Sequence, residues 1–257
     1  MRQPRVRRAR GFTLTELAVV FTIISLLLAA GMYTLSAQTE QRNFEETRRR
    51  LEAARELLLA FALVNGRLPC PASAVTGSTA GFEAPAGGGT CTTSYGGWLP
   101  ARTIGFQVTD SAGNAIDAWG NPIRYAVSST TPTCTPAATV TPHFTVAANM
   151  RTNGITCQPG DLVVCRQSPA VVTATTCDAN TSVTNQNLLV AIVFSTGKNG
   201  TTGGTGINEA RNLDSNALFV SRSPDPAGAS GGEFDDQMLW IPVGELYGKL
   251  IAAGLLP

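Results

Sequence analysis

The sequence predicts an α+β protein, in which one long N-terminal α-helix packs on an antiparallel β-sheet head with long loops. Three observations lead there. No proline occurs between Phe12 and Leu68, and the residues across that interval are first apolar and then amphipathic. Beyond residue 66, short β-like runs alternate with clusters of Gly, Ser, Thr, Asn and Pro. All six cysteines also lie beyond the apolar segment, which suits an exported, oxidised domain.

The helix begins after a basic leader, Arg2, Arg5, Arg7, Arg8 and Arg10, closed by Gly11. From Phe12 to Leu35 the chain is apolar over about 20 residues, the length that spans a bilayer core at 1.5 Å per residue. The arginines hold the N-terminus on the cytoplasmic side of the inner membrane and place everything after the span outside it. Two ordinary readings compete. A conventional signal peptide would be cut near Leu35-Ser36-Ala37, and a plain signal anchor would not be cut at all.

Glu16 separates these readings. A carboxylate in an apolar span costs several kcal/mol unless it has a partner, and no cation lies within the segment. Cleavage between Gly11 and Phe12 would create an α-amino group about one helical turn away. Glu16 could then pair with that amine or with a neighbouring chain's.

These residues carry a family resemblance. Gly11-Phe12-Thr13-Leu14-Thr15-Glu16 before an apolar helix is similar to the class III signal of type IV prepilins and type II secretion pseudopilins. The resemblance implies a cleaved leader over residues 1–11 and cutting by prepilin peptidase. It also implies N-methylation of Phe12, a role for Glu16 in assembly, and other pilin or pseudopilin subunits as partners.

From residue 36 to 64 the helix turns amphipathic. Phe44, Leu51, Leu58 and Phe61 form a stripe that Ala54 and Ala62 extend, with Glu45, Arg48, Arg49, Glu52, Arg55 and Glu56 opposite. A single helix of about 53 residues, near 80 Å long, results. It should stop at Asn65-Gly66 because glycine accepts the left-handed cap, and Pro69 and Pro71 prevent its resumption. Many major pilins carry a proline late in the membrane half. Its absence here favours a minor or specialised subunit.

Residues 65–257 form the predicted head. Expected strands are Thr103–Val108, Ile123–Val127, Phe144–Ala148, Leu162–Cys165, Leu188–Ser195, Ala217–Ser221 and Gln237–Ile241, with a short helix over Gly244–Ala253. The long loops Ala72–Gly97 and Thr196–Asn212 are expected to be exposed and dispensable for folding. Cys70, Cys91, Cys134, Cys157, Cys165 and Cys177 read as disulfide candidates because no CxxC pair suggests zinc. Six cysteines allow fifteen connectivities, of which pairing of sequence neighbours is the simplest.

Two further segments extend the resemblance to G-type pseudopilins. One is Asp117-Ala-Trp119-Gly-Asn121-Pro122, which reads physically as a turn with Trp119 packing on the helix. The other is Ser195-Thr-Gly197-Lys-Asn199-Gly200, followed by Asp214 and Asp235-Asp236, which is similar to the calcium-binding loop of major pseudopilins. The resemblance implies calcium at Asn199, Asp214, Asp235 and Asp236. Against it stands a plain turn in which these side chains cap backbone groups.

No catalytic signature is present. The one histidine, His143, reads as a half-exposed structural residue, and the glycine clusters are not followed by a helix that would cradle phosphate. Net charge is +1, from 19 Lys+Arg and 18 Asp+Glu, so no nucleic-acid partner is expected. Two functions remain. One is a filament subunit, for which Glu16 matters. The other is a membrane-tethered binding or adhesion protein, for which it does not.

Overall fold

The computed structural model describes residues 13–129, 133–134, 141–171, 173–200 and 206–256, and gives the backbone alone for 29–37 and 133. Gly11 and Phe12 lie outside the described residues. The chain divides into two compact units, Met1–Asn43 and Phe44–Pro257.

Helix α1 runs from Leu14 to Asn65. In the first unit its apolar side chains from Leu14 to Leu28 are exposed on all sides. The hydroxyls among them are satisfied locally. Thr22 Oγ1 donates to the Ala18 carbonyl at 2.9 Å and Ser25 Oγ to the Phe21 carbonyl at 2.7 Å, the back-bonding that hydroxyl side chains make within a helix. Among the described residues no helix is long and apolar enough to cross a membrane. The side chains expected to complete the span, within residues 29–37, are outside the described ones.

In the second unit α1 turns one face inward, burying Leu51, Ala54, Leu58, Leu59 and Ala62. The helix ends where glycine allows it. Gly66 has φ +68° and its N–H donates to the Ala62 carbonyl at 2.8 Å.

The sheet that receives this face has four antiparallel strands in the order β1 (Gly97–Trp98), β2 (Arg124–Val127), β6 (Leu189–Ser195) and β8 (Gln237–Pro242). Alternate residues point to opposite faces. Tyr125, Val127, Ala191, Val193, Leu239 and Ile241 join the helix-side core. Ala126, Ile192, Phe194, Met238 and Trp240 meet Leu162, Val164 and Phe219 on the other side. Those last three belong to or adjoin β5 (Val163–Cys165) and β7 (Leu218–Val220), a parallel pair forming an additional layer. Strand β6 is therefore buried on both faces, which is why it reads as an unbroken apolar run.

The edge strand β8 is blunted. Arg55 Nε donates to the Trp240 carbonyl at 3.0 Å, and Pro242 offers no N–H. Helix α5 (Val243–Ala252) follows directly and is tied to α1 by the Arg55–Glu245 and Lys249–Glu56 pairs.

Two expected strands are absent. Ala101–Ile104 is a short helix, α2, ended by Gly105 in the left-handed region, and Phe106 turns back into the core. Phe144 and Thr145 precede helix α3 (Ala147–Asn153). Their carbonyls accept from Leu68 and Gly89 N–H groups in loops, not from a neighbouring strand. In both segments the alternation of apolar residues reflects core filling without strand pairing.

Three disulfides join Cys70–Cys91, Cys134–Cys157 and Cys165–Cys177. The second links β3 (Thr133–Cys134) to β4 (Cys157–Gln158), whose cysteines are paired in register. The segment Ala72–Gly97 is not a free loop. Ala72 and Ala80 are buried, and Glu83 forms a two-pronged ion pair with Arg67 at 2.7 and 2.8 Å. Burial alone would raise the Glu83 carboxyl. Arg67 and the N–H groups of Gly87 and Cys70 outweigh that and hold it below the usual carboxylate range.

Candidate functional site

At the start of α1, Thr13 and Glu16 form a capping box. The Thr13 N–H and Oγ1 donate to Glu16 Oε2 at 2.8 and 2.9 Å, and the Glu16 N–H donates back to Thr13 Oγ1 at 3.3 Å. Sequence reasoning looked for a cation for Glu16 and missed this neutral partner, although Thr-x-x-Glu was its signal.

A second constellation lies in the head. Helix α4 (Ile207–Asn212) sits in the segment that the sequence assigned to an exposed loop, and it buries Asn208, Glu209, Arg211 and Asn212. It brings Glu209 against Asp235 and Asp236, which lead into β8. Carboxylate oxygens of the three lie within 4.8 Å of one another, and all three residues are buried. Among the described residues this is the one group of His, Cys, Asp and Glu placed to hold a metal ion.

The surrounding hydrogen bonds hold the acids in place. Asp235 Oδ2 accepts from the Lys198 and Asn199 N–H groups at 2.9 and 3.3 Å, while its Oδ1, equally buried, has no hydrogen-bond partner. Glu209 Oε1 accepts from the Asp235 N–H at 2.9 Å, and both its oxygens accept from Asn199 Nδ2. Asp236 Oδ2 accepts from Asn212 Nδ2 at 2.6 Å. Burial, then the charge of Glu209, pushes Asp235 up to about 6. Burial, opposed by the Asn212 bond and reinforced by Glu209 and Asp235, pushes Asp236 up to about 8.

An all-oxygen set with an orphaned buried carboxylate oxygen fits a hard divalent cation. Of the four residues that the resemblance implied, the structure gathers Asn199, Asp235 and Asp236. Asp214 is not among the clustered acids. It accepts from Asn216 and pairs with Arg211 at 3.1 Å, so it caps the turn into β7 instead. Glu209 takes its place in the cluster.

The Asp117–Pro122 turn packs on α1. Trp119 meets Phe44 edge-on at 5.0 Å, and the Ala118 N–H donates to Thr47 Oγ1 at 3.1 Å. The buried Asp117 carboxylate accepts from the Trp119 and Asn121 N–H groups and, at 2.6 Å, from Ser195 Oγ. Burial raises its pKa against these bonds.

His143 is buried, not half-exposed. Its Nε2 lies 3.1 Å from Tyr247 Oη, whose proton goes to the Cys157 carbonyl at 2.5 Å, and burial pushes the imidazole down to about 4. It is a neutral brace between α5 and the β3–β4 disulfide.

A basic leader, a capped helix start bearing Glu16 and an apolar helix stand together at the N-terminus. Residues 6–32 match the prokaryotic N-terminal methylation motif, the class III prepilin signal of type IV pilins and pseudopilins. Such a signal indicates a substrate of prepilin peptidase and suggests anchoring by the N-terminal helix. No curated protein and no solved structure matches the chain.

Proposed function

We propose that this chain is a low-copy structural subunit, a minor pilin or pseudopilin, of a type IV pilus or type II secretion-like filament. The observation that carries the reading is the methylation motif at residues 6–32 with Glu16 in its place. Prepilin peptidase cuts between Gly11 and Phe12 and methylates the new amine of Phe12. Residues 12–35 hold the subunit in the inner membrane with the head in the periplasm, until assembly moves it into a filament.

Glu16 begins with Thr13 as its partner and exchanges it in the filament for the α-amino group of a neighbouring subunit. A charged pair gives a stronger bond than a hydroxyl does in a low dielectric, so the exchange drives registration. The low-copy role is supported by the lack of proline in the membrane half and by the extra β5–β7 layer.

The Glu209, Asp235 and Asp236 cluster holds calcium, with Asn199 beside it. The ion neutralises carboxylates that otherwise repel one another and ties α4, the 196–200 turn and the start of β8 together.

Mass spectrometry of the N-terminal peptide tests the central claim. The expected peptide begins at N-methylated Phe12. A start at Met1, or beyond Leu35, refutes it.

A further inference from the structure

The Asp117–Pro122 turn holds two parts of the head at once. Toward α1 it uses Thr47, Phe44 and Arg50, whose Nη1 donates to the Ile116 and Asp117 carbonyls at 3.1 and 2.7 Å. Toward the acidic cluster it uses the end of β6. Ser195 Oγ donates to Asp117 Oδ2 at 2.6 Å and accepts from the Gly197 N–H at 3.1 Å, and Asn121 Nδ2 donates to the Gly197 carbonyl at 2.6 Å. The next two N–H groups along the chain, those of Lys198 and Asn199, donate to Asp235. An unbroken run of hydrogen bonds and backbone thus leads from α1 to the carboxylates.

We infer that Asp117, Ser195 and Asn121 are positioning residues of the cation site, and that filling the site and seating the Trp119 turn on α1 are linked. The inference rests on the cation reading proposed above. Its physical basis is the turn at Gly197. With φ +62° and the Asp235 side chain packed where a Cβ would stand, residue 197 must be glycine. The turn can present the Lys198 and Asn199 N–H groups to Asp235 Oδ2 only while Gly197 keeps this conformation. Both polar groups of Gly197 are fixed, its N–H by Ser195 at the end of β6 and its carbonyl by Asn121 of the Asp117 turn. Asp117 in turn fixes the Ser195 hydroxyl.

A cation held by Asp235 and Glu209 favours the same conformation of residues 195–199. Linkage is reciprocal: whatever the Ser195 bond adds to cation affinity, the cation adds to the stability of the turn. Groups bonded to a metal's ligands commonly change its affinity by about 10–100-fold; Ser195 and Asn121 act one bond further out, through Gly197, so the lower end, about ten-fold, is expected here.

The test uses the full-length chain in detergent, with Ca2+ as the probe. Calorimetric titration reads affinity, and hydrogen–deuterium exchange reads the 117–121 segment. In the unsubstituted chain Ca2+ should bind and slow exchange at the Trp119 and Asn121 amides, which donate to Asp117. Ser195→Ala should weaken binding up to about ten-fold and abolish the calcium-dependent slowing. Ser195→Thr, which keeps the hydroxyl, should preserve both. Asn121→Ala, which frees the Gly197 carbonyl, should repeat the loss, and decides the matter if Ser195→Ala does not fold. If Ca2+ does not bind the unsubstituted chain, the cation reading falls and the linkage with it. Binding without any change at 117–121, or unchanged binding and slowing in both alanine variants, overturns the linkage alone.

Discussion

Raising the pH from 6.5 to 8.5 without calcium should weaken the head, and calcium should remove the effect. Asp236 has a folded-state pKa near 8 against an ordinary value of 3.8. Between those values the folded chain holds a proton that the unfolded chain has released. The stability from this group is therefore fully present below about pH 4 and is lost as pH rises through about 8. From 6.5 to 8 the slope is about 1.36 kcal/mol per unit, or about 2 kcal/mol in all. For a domain of this size that lowers Tm by roughly 4–8 °C. The window also avoids His143, whose folded pKa near 4 makes its contribution rise between about 4 and 6.5 and stay level above. The assay is differential scanning calorimetry of the full-length chain at both pH values, with a chelator or with one fixed Ca2+ concentration, about 100 times the Kd at pH 8.5. Saturation at that level adds about 2.7 kcal/mol, and the gain in Tm should be larger at 8.5. An apo Tm that is flat or rising across the window refutes the assignment of a buried protonated acid to the cluster. An equal gain at both pH values refutes proton release on binding.

Other changes should act through contacts already described. Glu16→Ala should process normally and yet enter filaments poorly, measured by shearing and immunoblotting, and normal incorporation would count against the exchange of partners. Arg67→Ala leaves Glu83 buried beside no guanidinium and should cost about 3–5 kcal/mol by denaturant unfolding, whereas a cost below about 1 kcal/mol would mean that the 72–97 segment is not anchored there. Replacing Cys165 and Cys177 by serine should cost about 2–4 kcal/mol, and thiol labelling of the unreduced, denatured chain should find no reactive cysteine in the unsubstituted protein.

Legibility in the sequence followed the range of the interactions. Helix α1 and its stop at Gly66 were readable because spacing, the proline-free interval and the cap are local signals. Strand β6 was readable because burial on both faces leaves a run of Leu, Val, Ala, Ile, Val and Phe. The segments 103–108 and 144–148 were misread because an apolar side chain filling a core from an irregular segment looks like one in a strand. At the cluster, Asp235 and Asp236 were legible, but Glu209 was not. Helix α4 is only six residues long and follows a Gly- and Thr-rich stretch, so its acid carried no periodic signal. Its partner is 26 residues away by the 209-to-235 difference. Asp214 drew attention by residue type, yet its local bonds to Asn216 and Arg211 consume it.

The disulfides have a consequence for how the chain matures. Each joins a cysteine to the next one along the sequence, with separations of 21, 23 and 12 residues and no overlap. A chain that emerges N-terminus first presents Cys70 and Cys91 as a complete pair before Cys134 appears, and the later pairs follow in the same way. An oxidant that joins thiols in order of arrival therefore makes the native set directly, with no wrong bond to reshuffle and no need of an isomerase. Each closed loop is also independent of the others, so a delay in one leaves the rest free to form.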